Sequence, residues 1–238
     1  MPDLISNLAS LMQRNIETLD AIAQNAANAN TQGYKSVEES VAVQSFSQLL
    51  AGDSEISQSV SLLAGSVETT DRFTDVASLG DAWFTVQTPD GVAYTRQGNF
   101  SVDANGMLTT QSGYPVLGTD GELRVGSGMF SVNSLGAIDT ADGARLTMAL
   151  ARPVDSAGVI AKGHGLYTGD FELLDTISND NAANRYTLQQ FALESSNVDV
   201  ADDMVSLMST TRHIESLQRA MSTYNELLNT GINQLGNR

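Results

Sequence analysis

The stretch NVDVADDMVSLMSTTRHIESLQRAMSTYNELLNTGINQLGNR, residues 197–238, decides how the whole chain is read. Within it Val200, Met204, Leu207, Thr211, Ile214, Gln218, Met221, Asn225, Leu228, Ile232 and Leu235 follow an unbroken alternation of four and three. That spacing lines one face of a helix, and sustained over about five heptads it marks a coiled-coil seam. Leu217 and Tyr224 thicken the same face. Asp199 is placed to cap the helix, and Asp202 and Asp203 put negative charge in the first turn, where the helix dipole favours it. The pattern predicts a helix over 198–238 with an apolar stripe that requires a partner.

The amino end has a similar design. Ile5, Leu8, Met12, Leu19, Ile22 and Ala26 recur at steps of three and four, interrupted only at Asn15, and Leu4, Leu11 and Ile16 widen the face. The pattern stops in Asn25-Ala26-Ala27-Asn28-Ala29-Asn30-Thr31-Gln32-Gly33, where Asn and Gly tolerate the left-handed backbone that ends a helix. A helix over roughly 3–28, about 40 Å long, is expected.

Between these ends the period changes to two. Short alternating runs occur at Trp83–Val86, Val92–Thr95, Phe100–Val102, Leu123–Val125, Phe130–Val132 and Leu146–Leu150. Pro89-Asp90-Gly91, Asn105-Gly106, Asp120-Gly121 and Asp142-Gly143 punctuate them with the residues that tight hairpins require. Residues 36–70 show little periodicity and read as an extended connector, and 175–188 as a second, looser one. The expected fold is α+β: long terminal helices forming a coiled-coil-like stem, with an antiparallel β-rich central domain. The expected divisions are an amino-terminal assembly helix (1–30), a connector (31–75), the β domain (76–175), a return connector (176–197) and a carboxyl-terminal assembly helix (198–238).

Charge and composition narrow the function. The 238 residues include 28 acids against 12 bases, for a formal net of −16, and only two lysines, Lys35 and Lys162. Binding a nucleic-acid backbone needs clustered Lys and Arg, so no nucleic-acid partner is expected. Most of the imbalance lies in residues 36–195, with 20 acids against 7 bases, while the two ends are nearly neutral. This suggests a solvated body and ends that expect company. The absence of cysteine excludes disulfides, thiol nucleophiles and Cys-ligated metals. Neither a secretory signal nor a membrane-spanning segment is expected, since Met1-Pro2-Asp3-Leu4 lacks a basic start and no run approaches about 18 apolar residues.

A search for chemistry returns nothing. There is no phosphate-binding loop and no nucleophile elbow. Gly163, Gly165 and Gly169 read as a glycine-rich turn, not a dinucleotide fingerprint. His213 on the last helix and His164 between two glycines have no companion ligands at metal-binding spacing. Asp103-Ala104-Asn105-Gly106 departs from a calcium loop, because the glycine comes too early and no glutamate closes the pattern. No catalytic residue, cofactor or metal is expected.

Three motifs carry a resemblance. Asn25 to Lys35 fits the pattern N-x-x-N-x-x-T-x-G-[FY]-[KR] through Asn25, Asn28, Thr31, Gly33, Tyr34 and Lys35. Tyr94, Thr95, Arg96, Gly98 and Phe100, followed by Asp103–Thr110 and Gly113–Gly118, form a second, longer match. Glu194-Ser195-Ser196-Asn197-Val198-Asp199 is the third. Together, and in this order, they resemble the flagellar rod and hook proteins. Thr211–Arg219 is more similar to the proximal-rod branch than to the distal one. Gln24, Ala26 and Ser6-Asn7-Leu8 depart from the family pattern at the amino end.

The resemblance implies a non-enzymatic structural subunit of the bacterial flagellar basal body. Its terminal helices would pack in the inner wall of the rod and its β domain would lie outward. The implied partners are other rod proteins, copies of the chain itself and the flagellar type III export machinery, with no membrane insertion. Export would proceed without a cleaved signal, to the rod in the periplasmic space. The seam residues are expected to be Ile5, Leu8, Met12, Leu19, Ile22, Val200, Met204, Leu207, Ile214, Met221, Leu228 and Leu235. Both ends are expected to be poorly ordered in the free monomer and to fold on assembly. From the residues alone, a β-domain binding module on a coiled-coil stalk and a secreted enzyme stay open as alternatives.

Overall fold

A computed structural model of the chain describes residues 2–41, 56–155, 158–174 and 186–236. The middle of the first predicted connector (42–55) and the first part of the return connector (176–185) lie outside the described residues; the rest of the return connector is not loose but holds two paired strands, Tyr186–Gln190 and Ala192–Glu194. The chain divides into two compact units: residues 1–27, 39–58 and 199–238 form the first, and residues 28–38 and 59–198 the second.

The first unit is built on two helices, α1 (Pro2–Ala27) and α2 (Val200–Gly236), which contact one another. Asp199 caps α2 as its side chain predicts: Oδ1 accepts from the backbone N–H of Ala201 at 2.9 Å and of Asp202 at 3.2 Å. On α1, Ala21, Ile22 and Asn25 are buried and Leu8, Met12 and Leu19 half-buried. Leu8, Met12, Leu19 and Ile22 fall on the stripe that the three-and-four spacing predicts, whereas Leu11, Ile16 and Ala26, assigned to the same face, are exposed.

The second unit is antiparallel throughout its described strand pairs. Its largest sheet has six strands in the order Ile160–Gly163, Leu166–Thr168, Gly91–Thr95, Trp83–Thr88, Leu150–Pro153 and Phe171–Leu173. Alternation along the strand Trp83–Thr88 sends neighbouring side chains to opposite faces, and both faces are covered. Phe84 and Val86 enter the main core, with Phe84 meeting Phe100 edge-to-face at 5.1 Å. Trp83 enters a smaller cluster, edge-on to Tyr167 at 4.9 Å. Burial on both sides explains why Trp-Phe-Thr-Val is almost continuously apolar.

Two predicted strands differ: the run Leu146–Leu150 divides between the strands Arg145–Thr147 and Leu150–Pro153, which belong to different sheets, and another is shifted. Leu123–Val125 is not a ladder strand; the pair is Leu117–Gly118 with Gly121–Glu122, just upstream, and Arg124 makes only a single bridge to Met107. Leu123 and Val125 are nevertheless buried, so the alternation reported burial while the Asp120-Gly121 turn fixed the pairing. The described ends of the first predicted connector are strands, Val37–Val41 and Ile56–Val60, paired in a two-stranded sheet.

The unit also contains an internal repeat. Phe100-Ser101-Val102-Asp103 … Gly106 … Leu108 … Thr110 … Gly113 recurs thirty residues on as Phe130-Ser131-Val132-Asn133 … Gly136 … Ile138 … Thr140 … Gly143. Both copies fold alike. Asp103 Oδ1 accepts from Met107 N and Asn133 Oδ1 from Ala137 N, at 2.7 and 2.8 Å. Thr110 Oγ1 accepts from Tyr114 N and Thr140 Oγ1 from Ala144 N, at 3.2 and 3.1 Å. Phe100 and Phe130, and Leu108 and Ile138, all enter the same core.

Candidate functional site

Residues 28–35, 94–118 and 194–198 of the three family motifs lie in the second unit. The turn after α1 is organised by Asn28, whose carbonyl accepts from Thr31 N at 3.0 Å and whose Oδ1 accepts from Thr31 Oγ1 at 3.2 Å. Tyr34 N then donates to Thr31 O, and Tyr34 is buried. Gly33 has φ +65°, and its N–H donates to Glu194 O at 2.7 Å. A Cβ there would stand 2.4 Å from Arg96 C, so both conformation and space require glycine. Gly98 is equally constrained, with Val76 O 1.7 Å from where its Cβ would be.

At the centre lies a buried ionic clasp. Glu194 Oε1 accepts from Lys35 Nζ at 2.7 Å and from Gly65 N at 3.0 Å. Its Oε2 accepts from Arg96 Nε at 2.8 Å and forms an ion pair with Nη2, also at 2.8 Å. All three side chains are at most 2% exposed. Arg96 spends its remaining donors on Gly80 O, Ala82 O and Ser78 O, and its guanidinium lies 5.8 Å from the Trp83 ring centre. Each of the three charges of the clasp is therefore both paired and hydrogen-bonded, the condition under which such charges are tolerated.

Burial works to raise the Glu194 pKa, but the adjacent Arg96 and Lys35 outweigh it and hold the carboxyl below its ordinary value. For Lys35, burial lowers the ammonium pKa and Glu194 opposes the shift. Burial likewise pushes the Tyr167 phenol up, and its oxygen accepts from Lys35 N at 3.0 Å.

The other motif residues extend the clasp. Asn197 Oδ1 accepts from Ser36 N at 2.7 Å, its Nδ2 donates to Leu63 O at 3.0 Å, and Val198 N donates to Ser196 Oγ. Tyr94 stacks on Phe171 with ring centres 3.9 Å apart. Thr95, fully buried, donates from Oγ1 to Gly165 O at 2.7 Å. The segment that continues from α1 and the one that leads into α2 are thus fastened side by side. The motifs contain Glu194 and Lys35 but assign them no role; their burial together with Arg96 does.

The helix faces are arranged differently. On α2, Ile214 and Met221 are half-buried together with Thr210, Leu217 and Tyr224. Val200, Met204 and Leu207 are exposed, as are Val205 and Met208 beside them; Met204 and Val205 exceed 60% exposure. Ile5, Leu228 and Leu235 lie on their helices, and their side chains fall outside the described set. Among the described residues no group of His, Asp and Glu is placed to hold a metal ion, and no helix is long and apolar enough to cross a membrane.

Comparisons with known proteins match both parts of the architecture. Residues 78–126 match the family model "Flagellar hook protein FlgE/F/G D1 domain", and residues 189–235 match "Flagellar basal body rod FlgEFG protein C-terminal". The chain is 31% identical to the flagellar basal-body rod protein FlgF of Rhizobium meliloti, over 92% of this chain and 91% of that protein. It is 30% identical to the rod protein FlgG of Bacillus subtilis, over 92% and 94%. It is also 30% identical to FlgG of Buchnera aphidicola subsp. Schizaphis graminum, over 88% and 91%. With its clasp, its two helices and its near-full-length similarity to rod proteins of both names, the chain belongs to the flagellar basal-body rod protein family.

Proposed function

We propose that the chain enters the rod by laying the apolar faces of α1 and α2 against sister copies and other rod proteins, as a coiled-coil-like seam. Membership of the family makes it a structural subunit of the flagellar basal-body rod, with no catalytic role. The observation that carries the seam is the row of exposed apolar side chains opening α2: Val200, Met204, Val205, Leu207 and Met208. An amphipathic helix with so much uncovered apolar surface is poorly stable in water and is stabilised by burial against a partner. In this reading residues 1–30 and 198–238 are the assembly helices, 31–75 and 176–197 the connectors and 76–175 the central domain. The helices complete their folding on assembly, which restrains premature polymerisation. The partners include the flagellar type III export machinery.

The stretch Thr211–Arg219 supports a place in the proximal part of the rod. Quantifying the chain in purified basal bodies tests the function. Recovery with the rod fraction is expected, and its absence from complete basal bodies of cells that produce it would overturn the reading.

A further inference from the structure

Residues 186–197, at the carboxyl end of the second unit, are bound to parts of that unit drawn from almost its whole length. Tyr186–Gln190 pairs with Val76–Gly80, and Ala192–Glu194 with Val67–Thr69. Leu188 N donates to Ser134 O at 2.9 Å. The Gln190 side chain serves three backbone groups: Nε2 donates to Phe73 O and Phe130 O, at 2.6 and 3.0 Å, and Oε1 accepts from Val132 N at 3.0 Å. Glu194 neutralises Lys35 and Arg96, while Asn197 reaches Ser36 and Leu63. Tyr186, Leu188, Ala192 and Leu193 are buried, the first two in the main core. Between the two strands Phe191 stands at φ +58°, an adverse backbone for a bulky side chain. It is held there by its N–H on Asp75 O at 2.9 Å and by Thr70 N on its carbonyl at 2.7 Å. A residue so placed persists only while the structure around it fixes both flanks.

Opening this segment does not leave a smaller intact body. Lys35 and Arg96, each at most 2% exposed, lose the carboxylate that neutralises them. Phe73 O, Phe130 O and Val132 N lose Gln190, and the strand Val76–Gly80, buried at its first three residues, loses its ladder. Buried charges and backbone groups without partners are among the costliest defects a core can hold. We propose that residues 186–197 are a closing latch: the second unit has no stable form in which this segment is open and the rest is closed. Folding of the β-rich body therefore waits for its carboxyl end. Because a chain is made amino end first, the rest of the unit stays open until the latch has been made. This goes beyond the proposed function and touches it at one point, since a chain that closes late stays open for an export machinery. Failure of the latch leaves the rod reading untouched.

The ordinary behaviour of strands near the end of a unit is the opposite: they fray alone, exchanging their amides through small local openings. Native-state hydrogen exchange on the full chain, in rising denaturant, separates the two cases. The latch amides of Leu188 and Phe191 are compared with those of Thr85, Gln87 and Leu108, which donate to Ala149 O, Pro115 O and Leu123 O in the body. Equal opening free energies for the two sets are expected. Exchange of Leu188 and Phe191 through a smaller opening, with the body still protected, would overturn the latch. Glu194→Gln should lower protection at Thr85, Gln87 and Leu108 about a hundredfold or more, and at Leu188 by the same factor. Should that variant not fold, Thr187→Gly, at an exposed position of the paired strand, carries the test. It should lower protection about fivefold in both sets. A loss confined to residues 186–194 overturns the inference.

Discussion

Glu194 and Arg96 stand 98 positions apart in sequence, and their side chains meet at 2.8 Å. With Lys35 on the other carboxylate oxygen, this one buried group ties the end of the second unit to its middle and to its beginning. Three charges removed from water leave no room for a missing partner.

Substituting Glu194 therefore has a large effect. Glu194→Gln leaves two buried cations without a counter-charge and should destabilise the second unit by about 3–5 kcal/mol, read from chemical denaturation. The exposed pair Arg152–Glu172, also at 2.8 Å, supplies the contrast. Arg152→Ala should cost no more than about 1 kcal/mol.

The same carboxyl gives a signed pH dependence. Its folded pKa lies below its ordinary value of 4.5, so the stability it contributes is complete above that value. That contribution is lost as the pH falls through the depressed folded pKa. Thermal melts from pH 7 downward should show the gap between the natural chain and Glu194→Gln constant at first, then narrowing below pH 4.5. A gap that widened in acid would contradict the clasp.

Gly33 offers a test of the close approach. Gly33→Ala should destabilise by more than about 1 kcal/mol, because a φ of +65° is adverse and the new methyl meets the Arg96 backbone. Gly158→Ala, where nothing stands within 4 Å of a new Cβ, should be close to neutral in the same melt.

Much of this was legible in the sequence, for identifiable reasons. Helical periodicity and the Asp199 cap are local properties, and α1 and α2 follow them nearly to the residue. Arg96 and Gly98 stood out as motif residues, but their reasons are long-range: a carboxylate 98 positions away and the Val76 carbonyl. The repeat of Phe100–Gly113 at Phe130–Gly143 was open to inspection, and only its folded form shows that both Asx turns serve one core. The heptad identifies which α2 residues are apolar. It does not say which of them the chain itself covers, because the inward row runs through Thr210, Ile214, Leu217, Met221 and Tyr224.

The acidic body predicts a salt effect. With 20 acids against 7 bases in residues 36–195, copies repel at low ionic strength. Sedimentation of the purified chain should show self-association rising between about 50 and 500 mM salt. Association that is independent of salt would remove electrostatic repulsion from the account.

The central claim, that the helix faces are assembly surfaces, is tested most directly by Leu207→Asp and Met204→Asp, both at exposed positions of α2. Each is introduced in place of the natural chain, with the folding of the second unit checked by its own melting transition. The account predicts that both variants keep a folded β-rich unit and are absent from purified rods. Incorporation of both at the natural level would contradict it.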